Sequence, residues 1–110
     1  MTRSDDERLV DIHAAIERCA SYRGFLDSSE FGSMAYDAVL RNLAVIGEAV
    51  RSLSDEFKAA HSEVRWPAVA GLRNVVVHEY FRVNPDLIRD ILDNDLSVLD
   101  EVVGGASRSQ

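Results

Sequence analysis

The sequence predicts an all-α fold, an up-and-down bundle of four to five helices. Three observations lead there. Apolar residues recur at spacings of three and four over long stretches. No segment shows the alternation of a half-buried strand. Cap residues and prolines punctuate the chain so that only short connections are left, and short connections favour antiparallel neighbours. The 110 residues suit a single domain, 1–110, and leave little room for a second. No internal repeat or low-complexity block is present. A domain of this size buries its core with a modest margin, so pairing of two chains would add useful burial.

The first helix opens at Ser4, which forms a capping box with Glu7, and the acids Asp5, Asp6 and Glu7 suit the positive end of its dipole. Leu9, Ile12, Ile16 and Cys19 make its apolar stripe, and Gly24 is the expected stop. Asp27 to Glu30 reads as a linker or a short helical turn. A second helix is predicted from Ser33 to Leu53. Ala38, Leu40, Leu43, Val45, Ile46, Val50 and Leu53 cover much of its circumference, which places it centrally. Ser54-Asp55-Glu56 caps a short helix ending near His61. Pro67 suits the first turn of the next helix, and Asn84-Pro85 marks the start of a last one. Ile88, Ile91, Leu92, Leu96, Leu99 and Val103 are its buried stripe. Gly104-Gly105 is expected to end it, leaving 106–110 as a disordered tail.

The formal charge of −7 argues against broad, non-specific nucleic-acid binding, and DNA is not an expected partner. It leaves room for a small local phosphate site. The acids crowd the start and the last helix, whereas around residues 65–82 Arg65, Arg73 and Arg82 face only Glu63 and Glu79. Lys58 is the sole lysine. Arginine suits bidentate oxyanion contacts, but a GC-rich genome gives the same bias, and we favour that explanation for the chain as a whole. Cys19 is the sole cysteine, so no internal disulfide can form, as expected of a cytoplasmic protein. Its place on an apolar stripe reads as that of a buried small hydrophobe. No signal peptide is expected from the acidic first residues, and no apolar run approaches the ~20 residues of a membrane span.

The segment Arg73-Asn74-Val75-Val76-Val77-His78-Glu79-Tyr80 carries most of the chemistry. With Arg73 at zero on a helical wheel, Asn74 falls near about 100°, Val77 near about 40°, His78 near about 140° and Tyr80 near about −20°. Leu72, Val75 and Val76 lie on the opposite side and face the bundle. The outward face also carries Val77 and Phe81, which are poor neighbours for water and call for a partner surface, such as a second copy. Arg73 and His78 diverge by about 140°, so they do not readily converge within one chain. Two chains related by a two-fold axis would each contribute an arginine and a histidine to a shared cleft. In such a cleft an imidazole accepts the proton of an RNA 2′-hydroxyl, a second group protonates the leaving 5′-oxygen, and arginines stabilise the phosphorane charge without a metal. Asn74 would orient the imidazole or hold the phosphate. The plain alternative is that His78 caps a helix end and that Arg73 and Asn74 are ordinary surface residues. His13 and His61 have no second ligand at metal spacing, so neither a metal nor a cofactor is expected. Asp37 and Glu48 are placed to pair with Arg41 and Arg51 as weak surface bridges.

Arg73-x4-His78-x-Tyr80 resembles the R-x4-H-x-Y motif of the HepT-like toxins in the HEPN superfamily. Asp37-Ala38-Val39-Leu40-Arg41-Asn42-Leu43 and Ile46-Gly47-Glu48-Ala49 resemble that family's second helix, and the resemblance runs from about Asp5 to Val103. Two departures stand out: Arg65 before Trp66, with proline following as Pro67, and Tyr36 where glutamine is common. The resemblance implies a HEPN-like helical bundle that forms a two-fold homodimer with the two motifs face to face. It implies a metal-independent endoribonuclease, the toxin of a type VII-like toxin–antitoxin pair, with Arg73 and His78 catalytic and Asn74 in support. It also implies neutralisation by a nucleotidyltransferase antitoxin that transfers AMP from ATP to Tyr80, adding charge and bulk beside the site. A non-catalytic nucleotide- or substrate-binding subunit of a minimal nucleotidyltransferase complex is the competing expectation.

Overall fold

The sides of the helices that carry the stripes predicted above meet in one buried cluster. In the computed structural model, which describes residues 4–79 and 84–108, α1 spans Asp5–Arg23, α2 Gly32–Arg51, α3 Asp55–Ala60, α4 Trp66–Ala70 and α5 Leu72–Glu79. Then come α6, Pro85–Asp90, a π-helical turn, Ile91–Asp95, and α7, Leu96–Arg108. Among the described residues there is no strand, so the all-α class holds.

Three polar pairings fix the directions. Asp5, at the start of α1, accepts from the backbone N–H (3.0 Å) and the hydroxyl (2.6 Å) of Ser54, just beyond the end of α2. The Tyr36 hydroxyl, near the start of α2, accepts from the backbone N–H of Asn84 at 2.8 Å, whereas Glu48 near its end meets Arg73. Arg23 at the end of α1 holds Asp93, while His13 nearer its start lies 3.6 Å from Asp100. Each rod therefore runs antiparallel to the next, as an up-and-down bundle requires.

The core is made by α1, α2 and the last rod. Ile12, Ala15, Val39, Leu43, Ile46, Val50, Ile88, Leu99 and Val103 are fully buried. Asn42 is the buried polar residue among them, and its amide donates to the Ala38 carbonyl at 2.8 Å, which removes the cost of an unpaired donor. Val45, assigned to the apolar surface of α2 by sequence, is exposed instead. The Ser4 and Ser54 caps form as expected, accepting from Glu7 and Phe57. Trp66 closes the far end: its indole N–H is shared between the carbonyls of Lys58 and His61, both at 2.9 Å, and its ring stands edge-on to Phe57.

The structure departs from the predicted elements at three places. The rod carrying Pro67 is broken at Gly71, so that α4 and α5 are separate helices, and among the described residues seven α-helical segments stand where four to five were expected. The last rod contains the π turn, in which the Leu96 N–H bonds the Ile91 carbonyl five residues back. In a regular α-helix those two residues lie about 140° apart. The wider turn keeps both Ile91 and Leu96 in the core. Finally, Gly104-Gly105 does not stop α7, which runs to Arg108 and takes in part of the expected tail. Burial of Val102, Val103 and Gly104 outweighs the roughly 1 kcal/mol that a glycine costs within a helix. Gly24 does end α1, but at φ −65°, so the position uses no left-handed conformation.

Candidate functional site on helix α5

Helix α5 begins immediately after Gly71, whose carbonyl accepts from both Asn74 N (3.0 Å) and Val75 N (3.2 Å). Leu72 is buried, and Val75 and Val76 are half-buried against the core. Arg73, Asn74, Val77 and His78 lie on the outer side of the helix, with Val77 exposed at 62%. The two faces expected from the wheel are therefore present. Asn74 and His78, four residues apart, stand about 40° from each other on one side of the helix. Tyr80, proposed as the modified residue, and its neighbour Phe81 lie outside the described residues.

Arg73 is engaged. Its Nη1 donates to Oε1 of Glu48 on α2 at 2.5 Å. Sequence reasoning paired Glu48 with Arg51 and Asp37 with Arg41; Glu48 turns instead to Arg73, because α2 and α5 touch at this level. Gly47 makes the approach possible: a methyl group there would lie 3.2 Å from Arg73 N, 3.3 Å from the Val69 carbonyl oxygen and 3.4 Å from that of Ala70. The Arg73 and Glu48 side chains are 60% and 49% exposed, so their pairing contributes at most about 1 kcal/mol. A phosphate offering a bidentate contact can displace the carboxylate.

Beside this pair an open groove of ≈ 610 Å³ runs between α1, α2 and α5. It is lined by Arg8, Asp11, Arg41, Ala44, Val45, Glu48, Ala49, Ser52 and Arg73. Sequence reasoning singled out Arg73, Asn74 and His78 but gave Arg8 and Asp11 no role. The close approach of Gly47 had one trace in the sequence, the Ile46-Gly47-Glu48-Ala49 string. The groove had none, since its walls come from three helices.

Other reactive groups stand away from α5. Burial pushes the Cys19 thiol up to about 12, so it stays protonated at neutral pH and is a packing residue, as expected. Among the described residues no group of three His, Cys, Asp or Glu side chains is arranged to hold a metal ion. Among them too, no helix is long and apolar enough to cross a membrane.

Known proteins share this pattern. The family described as "Ribonuclease HepT-like" matches residues 12–104, taking in α2, α5 and all the site residues named above except Arg8 and Asp11. The chain is 31% identical over 101 residues to "Probable ribonuclease HepT" of Thermococcus cleftensis, covering 90% of this chain and 92% of that one. It is 32% identical over 90 residues to a "Putative RNase" of Methanocaldococcus jannaschii, covering 80% and 83%. A "Putative RNase" of Caldanaerobacter subterraneus is 41% identical over 66 residues, a match that spans 60% of this chain and 59% of the relative. No solved structure matches the chain. With the family pattern covering most of its length, the chain belongs to the HepT-like ribonuclease family.

Proposed function

We propose that the chain is an endoribonuclease that cuts RNA without a metal, at a site completed by a second copy, and that it acts as the toxin of a toxin–antitoxin pair. The observation that carries the reading is the outward face of α5, where Arg73, Asn74 and His78 stand together beside the uncovered Val77. In this reading the His78 imidazole takes the proton of a 2′-hydroxyl. The 2′-oxygen attacks the adjacent phosphorus, and Arg73 stabilises the charge on the phosphorane oxygens. The bond from phosphorus to the 5′-oxygen breaks. A second proton donor, supplied by the partner copy, protonates that oxygen. The products are a 2′,3′-cyclic phosphate and a 5′-hydroxyl end. The nucleophile is internal to the substrate, so no metal-bound water is needed. Asn74, one turn before His78, holds the ring or the phosphate.

The composite site follows from two features. Arg73 and His78 diverge around α5, and Val77 is exposed at 62%, a surface that a second copy would cover. AMP transfer to Tyr80 by a nucleotidyltransferase antitoxin would add negative charge two residues from His78 and repel the RNA backbone. The test is RNA cleavage in EDTA. His78→Ala is expected to abolish cleavage and toxicity while the protein melts like the wild type. Full cleavage by that variant would rule out the assignment. Intact mass after co-expression with a neighbouring nucleotidyltransferase gene tests the regulation, which predicts whole added AMP units on Tyr80.

A further inference from the structure

The groove between α1, α2 and α5 is lined by three arginines, Arg8, Arg41 and Arg73, against two carboxylates, Asp11 and Glu48. In a chain whose formal charge is −7, this is a local reversal of sign. Two of the arginines have unused capacity. Arg41 is exposed and has no ion pair among the described residues. The Arg8 Nε–H is buried with no hydrogen-bond partner, an unmet donor on the groove wall. The third, Arg73, is held by Glu48 in an exposed pair that phosphate can replace.

We propose that this groove is a track for a single-stranded RNA backbone, with Arg8 and Arg41 holding phosphates that flank the one Arg73 takes in exchange for Glu48. Planar guanidinium groups are suited to bidentate phosphate contacts, and a track of separated arginines binds the backbone without reading bases. The groove supplies the electrostatic attraction that the chain as a whole lacks, and it confines RNA to the surface next to α5. The proposal rests on the ribonuclease reading only for the identity of the polyanion.

The test measures equilibrium binding of a short single-stranded RNA across a salt series, in the non-cleaving His78→Ala protein. Each phosphate that the protein no longer neutralises makes the dependence of log affinity on log salt shallower by roughly 0.7 for single strands. Arg8→Ala with Arg41→Ala is therefore expected to flatten it by roughly 1.4 and to weaken binding at low salt. Arg41→Ala alone, at an exposed position, gives about half that change and guards against a folding defect from the half-buried Arg8. Arg41→Lys keeps the slope because the charge remains. Arg18→Ala, an exposed α1 arginine outside the groove, leaves the slope unchanged. An unaltered slope in the double variant overturns the track. If wild-type protein cleaves RNA while that slope stays unaltered, the groove fails and the ribonuclease reading survives. If the slope flattens but wild-type protein cleaves nothing, the track stands and the catalytic reading falls.

Discussion

Helices α2 and α5 lie against each other, yet they are built on opposite terms. Along its 20 residues α2 buries Val39, Leu43, Ile46 and Val50 completely, so its position is over-determined by packing. In α5, eight residues long, Leu72 is buried and Val75 and Val76 are partly covered, while Arg73, Asn74, Val77 and His78 face outward. A helix that must present polar chemistry to a partner cannot also surround itself with core. It borrows rigidity from its neighbour, through the close approach at Gly47 and the Arg73–Glu48 pair. Stability and chemistry are thereby separated onto adjacent helices.

Substitutions should reveal that separation, and the largest effect belongs to α2. Ile46→Ala removes a fully buried side chain and is expected to cost about 2–5 kcal/mol in a denaturant melt. A smaller cost would mean that the α2 core is looser than its burial implies.

Gly47→Ala probes the junction. Its methyl group would press on backbone atoms of Val69, Ala70 and Arg73, which cannot move as a flexible side chain would. A cost of about 1–3 kcal/mol is expected, together with reduced RNA cleavage as α5 is pushed away. Unchanged cleavage would show that the approach does not position Arg73.

A smaller effect comes from the far side of the bundle. The Arg23 guanidinium, bonded to Asp93 at 2.6 Å, holds that carboxyl below its ordinary range. A depressed folded-state pKa stabilises the fold above the unfolded-state value, and the contribution is lost as pH falls through the folded value. Asp93→Asn is therefore expected to melt below the wild type at neutral pH. The gap should close as acid protonates the wild-type carboxyl, as thermal melts at stepped pH would show. The smallest change in stability is expected for His78→Ala, within about 0.5 kcal/mol, because the exposed ring carries no packing. A larger effect would place His78 among the structural residues of α5.

How much of this is legible in the sequence varies with range. The Ser4, Ser54 and Asn84 caps, the α1 stripe and the two faces of α5 are all readable, because each depends on residues within a turn or two. The break at Gly71 is not, since glycine tolerates a helix as well as a turn. Nor is the π turn, whose cause is the need to keep Ile91 and Leu96 in the same core. Gly104-Gly105 misleads for the same reason: burial of Val102 and Val103 carries α7 through it.

By itself the sequence determined the all-helical class, the order of the rods and the residues Arg73, Asn74 and His78 that share a helix side. It also carried the HepT-like pattern, because periodicity and motif spacing are written along one strand of chain. The partner of Arg73 was decided only in three dimensions. Glu48 is 25 residues away and reaches it because Gly47 lets two helices touch. The groove that brings Arg8 and Arg41 beside them was decided in the same way, since charges from three helices become neighbours only when the core that joins those helices has formed.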